Sequence, residues 1–287
     1  MPERRVRLAA EHMAVGEDVR FCVWRLPWEG AVRGTVVHAP AFAEEMNKSR
    51  HVVAAGARAL AAEGYAVVQV DPLGCGDSPG DFGDATFGRW VDDVAAVARA
   101  AHARHGGVLW LWGLRAGCLL ATAALSALAP TPASLLLWQP VVSGRQHLAQ
   151  FLRLASTGSA LASGGGERTG AKDLRERLAR GETVEVAGYR IAPGLAAGLD
   201  AATLAVPPGF PGRVVWLEVG PAPATLSPAS SQTLARLLPL RVEASALEGP
   251  GFWQATELED APALVDATRA ALALHAHVEP ARTPAVL

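Results

Sequence analysis

Cysteine is scarce. Three residues (Cys22, Cys75 and Cys118) in 287 are an odd number with no CxxC spacing. That excludes a disulfide scaffold or a cysteine zinc site and fits a reducing compartment. Basic surplus is missing as well: 26 Lys+Arg against 28 Asp+Glu leave a net charge of −2, so no nucleic-acid partner is expected. The opening Met1-Pro-Glu-Arg-Arg-Val-Arg7 is not followed by the apolar stretch of a leader peptide. Uninterrupted apolar runs are also lacking. Val108 to Ala129 is long enough for a membrane span, but Gly113, Arg115 and Gly117 break it at its centre. A buried strand feeding a buried helix accounts for it, so no transmembrane segment is expected and the cytoplasm is the expected location. No internal repeat is present. What remains is 50% apolar and 19% charged, which excludes disorder. At roughly 150 residues per domain the length allows one large domain or two small ones.

Strand and helix patterns alternate along the chain. Residues 19–24 alternate in period two and read as an early, half-exposed antiparallel strand. Continuous apolar runs at 34–39, 65–71, 108–112 and 134–138 read as buried strands; helical patterns at 51–63, 86–104 and 117–129 separate them. Such runs predict a mostly parallel sheet covered by helices on both faces. The rhythm stops after Pro140. Residues 145–204 hold a helical segment at 147–155, a Gly/Ser-rich stretch at 156–170, a charged helix at 171–180 and two short segments. They read as an inserted helical lid. The rhythm resumes with a strand at 213–219, a helix at 228–238, a strand at 240–244 and a helix at 261–275, before a frayed tail from Glu279. The expected division is a core of 1–144 and 205–287 with a 145–204 insertion.

The most informative segment is the strand-to-helix junction Gly113-Leu-Arg-Ala-Gly117. In a nucleophile elbow, G-x-S-x-G, two glycines let strand and helix approach closely while the central side chain is thrust outward. Both glycines are here, but Arg115 stands at the centre. With it go His38-Ala-Pro-Ala-Phe-Ala-Glu-Glu45 after the first buried strand and the loop Asp71-Pro-Leu-Gly-Cys-Gly-Asp-Ser78. On these residues nearly the whole chain resembles the α/β-hydrolase superfamily. Phe42-Ala-Glu-Glu-Met-Asn-Lys-Ser-Arg50, Leu73-Gly-Cys-Gly-Asp-Ser78, Trp112-Gly-Leu-Arg-Ala-Gly117 and Val184-Glu-Val-Ala-Gly-Tyr-Arg190 narrow it: they resemble the second hydrolase-type protein of exosortase A systems. The resemblance implies the α/β-hydrolase fold with an inserted lid. It also implies a hydrolase of an ester, thioester or related acyl substrate, and a setting in exopolysaccharide production and envelope protein sorting, where a protein partner would be found. Fold by itself does not fix function.

Hydrolysis of this kind needs a nucleophile at the elbow, an acid after a later strand and a histidine after the last one. Arg115 stays protonated and cannot attack a carbonyl. Gly220-Pro-Ala-Pro-Ala-Thr-Leu-Ser-Pro228 holds no acid, the nearest being Glu218 within the strand. Phe252-Trp253 occupy the histidine's place, and no histidine occurs between His147 and His275. Cys118, in the first helical turn after the elbow, is a weak alternative nucleophile, since helix N-termini lower thiol pKa values; a thiol in an apolar helix is otherwise inert core. Cys75 and Ser78 read as turn residues. His38 could lie near them, or orient its own loop.

What remains at the elbow suits anions. Ala116 would supply one oxyanion-type N–H and the loop around Ala41 and Phe42 another, with the Arg115 guanidinium alongside, apt for a carboxylate or phosphate. The competing expectation, which we favour, is a plug: Arg115 paired with Glu44 or Glu45, because an unpaired buried arginine is costly. Trp253 and Phe252 either line a ligand pocket or pack against the sheet. Lys48 and Arg50 either meet an anionic ligand or form a solvated face. His275 and His277 are spaced for different helix faces, and no metal or cofactor is expected. Two functions therefore stay open. One is an enzyme acting on a small acyl substrate; the other is a pseudo-hydrolase binding an anionic small molecule or a protein partner.

Overall fold

The computed structural model describes residues 5–162, 170–237 and 240–273. The chain opens with a hairpin of β1 (Val6–Val15) and β2 (Asp18–Pro27), joined at Gly16, whose φ of 63° suits a two-residue hairpin turn. Then follow β3 (Gly34–Ala39), α1 (Glu44–Ala62), β4 (Tyr65–Val70), α2 (Phe87–His105), β5 (Val108–Leu114), α3 (Gly117–Leu128) and β6 (Ala133–Trp138). Next the chain leaves the sheet through α4 (Gly144–Ala162), α5 (Ala171–Ala179), the two-stranded β7 (Val184–Val186) and β8 (Tyr189–Ile191), and α6 (Pro193–Ala201). It returns as β9 (Arg213–Gly220), α7 (Pro228–Arg236), β10 (Arg241–Glu248) and α8 (Pro262–Ala273).

Eight strands form one sheet in the order β1-β2-β4-β3-β5-β6-β9-β10. The first two pairings, β1 with β2 and β2 with β4, are antiparallel, and all others are parallel. Alternation along each strand sends neighbours to opposite faces. Val36, Val67, Trp110 and Trp112 pack under α1 and α8, while Val37, Val68 and Leu111 pack under α2 and α3. Burial on both faces explains why these strands read as unbroken apolar runs. Trp112 and Trp138 meet edge to face at 4.5 Å, and Gly56 lets α1 settle on them, since a Cβ there would lie 2.6 Å from Trp138. Trp138 Nε1 donates to Thr268 Oγ1 at 2.8 Å and so ties the sheet to α8.

The structure differs from the sequence expectations at particular elements. β1 was not anticipated, because its Ala- and charge-rich face is exposed at the sheet edge. α1 starts at Glu44 rather than His51, its first turns being polar and close to the strand ends. α4 begins at Gly144, and β10 runs on to Glu248. The His275/His277 pair, the tail and residues 163–169 of the Gly/Ser-rich stretch lie outside the described residues.

Strand order reverses between β4-β3 and β5-β6, and the carboxyl ends of strands at such a switch point are where open α/β sheets place their sites. The elbow sits there, and its glycines are dictated by contact. A Cβ on Gly113 would lie 2.5 Å from Cys118 Cα, and one on Gly117 would lie 2.2 Å from the Ala39 carbonyl oxygen. Because backbone cannot move aside cheaply, Gly117→Ala should destabilise the protein by about 3 kcal/mol or more. Gly88→Ala, facing open space in α2, should instead stabilise by about 0.5 kcal/mol. Urea unfolding of the two variants beside the parent checks both.

Candidate active site

Arg115 holds a φ of 55°, so the elbow keeps the left-handed backbone that projects its central residue. Its N–H donates to the Trp138 carbonyl at 3.0 Å, and its own carbonyl accepts from Cys118 N at 3.0 Å. Two of the three other non-glycine residues with positive φ, Ala43 and Gln139, are built around the same place, at the start of α1 and the end of β6. Gln139 N donates to the Leu217 carbonyl at 2.7 Å, and its Oε1 accepts from Val219 N at 2.8 Å. This locks β6 against β9 beside the elbow.

The Arg115 side chain turns inward to Glu45. Its Nε and Nη2 donate to the same oxygen, Glu45 Oε1, at 3.1 and 3.0 Å. Both side chains are largely buried, at 18% and 22% exposure. The opposite side of the guanidinium lies over the Trp253 ring, 5.2 Å from its centre, a cation–π contact. Trp253 stands in the loop after the last strand, so the elbow residue still meets that loop, as a nucleophile meets its histidine in the triad arrangement, but through an arginine and an indole. Glu44, the other acid considered for Arg115, does not pair with it. It faces outward and accepts from Tyr189 Oη at 3.1 Å and Asn47 Nδ2 at 3.4 Å. Adjacent residues on a helix point about 100° apart, so only one of the two can face the elbow.

The structure brings in His147 of α4, which the sequence left out of the site. Its Nε2 lies 4.0 Å from Glu45 Oε2, and neither of its ring nitrogens has a hydrogen-bond partner. Burial first, then the Arg115 charge, pushes its pKa down to about 3. Burial raises the Glu45 carboxyl against the pull of Arg115. The signal in the sequence was a lone histidine on the apolar face of a helix, which is weak by itself.

Ala41, Phe42 and Ala116 do come together, lining a void of about 10 Å³ with Pro40, Cys75 and Trp90. That is room for at most about one water, so no substrate-sized space opens at these three residues. The reason is Phe42, whose ring meets Phe82, Trp90, His147 and Phe151 edge to face at 5.0–6.0 Å.

The alternative nucleophiles are held inert. Cys118 is fully buried, its thiol raised by burial and its Sγ 3.6 Å from the Trp138 carbonyl. Burial pushes Cys75 up to about 12. Ser78 Oγ accepts from Phe21 N at 2.8 Å and donates to the Asp71 carbonyl, clipping its loop to β2. Glu218 is committed to Trp216 Nε1 at 2.7 Å and Ser227 N at 3.2 Å. Lys48 donates to the Gln254 carbonyl at 3.4 Å, and Arg50 pairs with Asp71 at 3.3 Å. His38 is buried edge-on against Trp112 at 4.6 Å, apart from the Arg115–Glu45 pair, its Nε2 unpartnered. Among the described residues no three His, Cys, Asp or Glu side chains stand close enough to hold a metal ion.

Sheet order, elbow and flanking helices define an α/β-hydrolase-fold protein. Comparison with known proteins agrees. A model of the serine aminopeptidase S33 family matches residues 30–167, just under half of the chain. Est1E of Butyrivibrio proteoclasticus superposes with a TM-score of 0.60 at 12% identity, covering 92% of this chain and 97% of that one. XC6422 of Xanthomonas campestris, described as an α/β serine hydrolase without a lid, gives 0.57 at 17% identity over 98% and 100%. The peroxisomal α/β-hydrolase Lpx1 of Saccharomyces cerevisiae gives 0.55 at 13% identity over 100% and 93%. No curated protein matches the sequence. Among the described residues no helix is long and apolar enough to cross a membrane.

A histidine whose folded pKa is about 3 against an ordinary 6.5 leaves the unfolded chain binding the extra proton between those values. Stability is then complete above about pH 6.5 and falls as pH drops toward 3, by about 1.4 kcal/mol per pH unit. His147→Gln should flatten this slope by about that amount in urea unfolding at pH 7, 6 and 5; an unchanged slope would show that His147 titrates normally.

Proposed function

We propose that this protein is a pseudo-hydrolase: an α/β-hydrolase-fold protein that binds a small anionic molecule or a protein partner without serine-hydrolase turnover. The observation that carries this is Arg115 at the elbow, clamped by Glu45 on one side and Trp253 on the other. An arginine supplies no nucleophile, and among the described residues the loops after β9 and β10 bring neither an acid nor a histidine to Arg115 to activate one. Residues 145–204 act here as a lid resting on the core. Phe151 and His147 on Phe42, and Tyr189 on Glu44, support that role. On the resemblance to exosortase A-associated proteins, the partner we propose is a component of exopolysaccharide and envelope sorting systems. Three buried free thiols accord with a cytoplasmic location.

A second reading, hydrolysis of an ester, thioester or related acyl group, draws on the S33 family match and on the preserved elbow backbone. Chemical labelling separates the two. The native protein should give no mass increase with a fluorophosphonate, and none with iodoacetamide until denaturant exposes its three thiols. Arg115→Ser should still show no p-nitrophenyl acetate turnover above background, because Trp253 occupies the place of a base. A stoichiometric serine adduct, or a fast pH-dependent adduct at Cys118 or Cys75, would return the protein to the enzymes.

A further inference from the structure

A second cavity lies on the far side of the loop that carries Ala41 and Phe42. Its volume is about 210 Å³, and Pro40 lines both it and the small void at the elbow. That is below the ~300–1,000 Å³ of sites for drug-sized ligands. Two guanidiniums and an imidazole line it, Arg25 from β2, Arg50 from α1 and His38 from the end of β3, with the Gln69 amide beside them, while Val23, Met46 and Val53 supply apolar wall.

Charge is unbalanced there. Arg25 is half-buried, and its partner is an amide, Gln69 Oε1, with no carboxylate paired to it among the described residues. Burial, and then the neighbouring Arg58, work against its charge. The carboxylate lining the cavity, Asp71, is already shared between Arg50 at 3.3 Å and Asp77 N at 3.1 Å. At the inner end His38 is 4% exposed, and its Nε2 has no hydrogen-bond partner. Buried polar groups are nearly always hydrogen-bonded, so this nitrogen lacks an acceptor. A neutral imidazole offers one N–H to an acceptor without adding charge, and burial holds this one neutral. Two guanidiniums against one committed carboxylate leave a net positive, partly apolar chamber.

We propose that this cavity is a binding site for a small organic monocarboxylate with a short apolar tail. Arg25 and Arg50 take the carboxylate, His38 Nε2–H donates to it, and the tail lies on Val23, Met46 and Val53. The site is separate from the elbow, and the proposal stands whether or not the elbow turns over a substrate. Because Pro40 is common to both spaces, a ligand here bears directly on the loop that carries Phe42.

Calorimetric titration of the full chain with sodium hexanoate tests it, with hexylammonium chloride and inorganic phosphate as comparison arms. One-to-one hexanoate binding is expected, weakened about tenfold by Arg25→Met, in line with loss of one charge-assisted contact, and severalfold by Arg50→Gln. Binding should be unchanged by Lys172→Gln, at a side chain 92% exposed on α5, and hexylammonium should be silent. Arg50 is 45% exposed, so its variant keeps the native fold even if Arg25→Met does not. The proposal is overturned if hexanoate shows no saturable binding, if binding survives both cavity substitutions, or if phosphate binds as well as hexanoate. Loss of binding only in Arg115→Met would also overturn it, by placing the anion at the elbow.

Discussion

A guanidinium placed at the end of a buried strand must find a counter-charge, and much around this elbow follows from that demand. Arg115 is 18% exposed, and leaving it unpaired would cost several kcal/mol. Glu45 answers it from the first turn of α1, where a carboxylate is also favoured by the helix dipole. The pairing takes Glu45 out of water, leaves its second oxygen without a partner and sets a positive charge beside His147, which burial already holds neutral. Trp253 closes the other face, so the loop after the last strand is pinned through the same guanidinium. The elbow thus carries a charge pair and a ring.

Around that pair the scaffold is unchanged in its essentials. Gly113 and Gly117 still permit the strand–helix contact, and Arg115 still adopts the left-handed backbone. The turn between β5 and α3 therefore holds a non-glycine residue in the left-handed region. Strain of this kind persists where surrounding structure over-determines the backbone, and here the Trp138 carbonyl and the glycine contacts do so. The fold is shared with solved structures at 12–17% identity, and fold by itself does not fix chemistry, which rests on side chains at a few positions.

Legibility in the sequence followed the strength of local rules. The central strands were readable because burial on both faces writes itself as runs such as Val36-Val37 and Leu109-Trp110-Leu111. The elbow was readable because only glycine fits where a helix meets a strand at 2.2–2.5 Å. β1 was not: Arg7, Leu8, Ala9 and Ala10 are all exposed on an edge strand, so neither a buried run nor a clean alternation marks it. Nor was His147, whose place beside Glu45 depends on how α4 crosses the end of the sheet. The cavity around Arg25, His38 and Arg50 was equally invisible, since β2, β3 and α1 bring them together only when they pack.

By itself the sequence determined the α/β architecture and the presence of Arg115 between Gly113 and Gly117. Both are local facts, set by apolar period and by one residue between two glycines. Tertiary structure alone decided that Glu45 rather than Glu44 meets Arg115, that Trp253 packs on the guanidinium, and that Phe42 fills the space above Ala116. The physical reason is that neighbouring side chains on α1 diverge by about a quarter turn. Which of them faces the elbow is settled only when the helix docks on the sheet, and no local pattern of residues carries that choice.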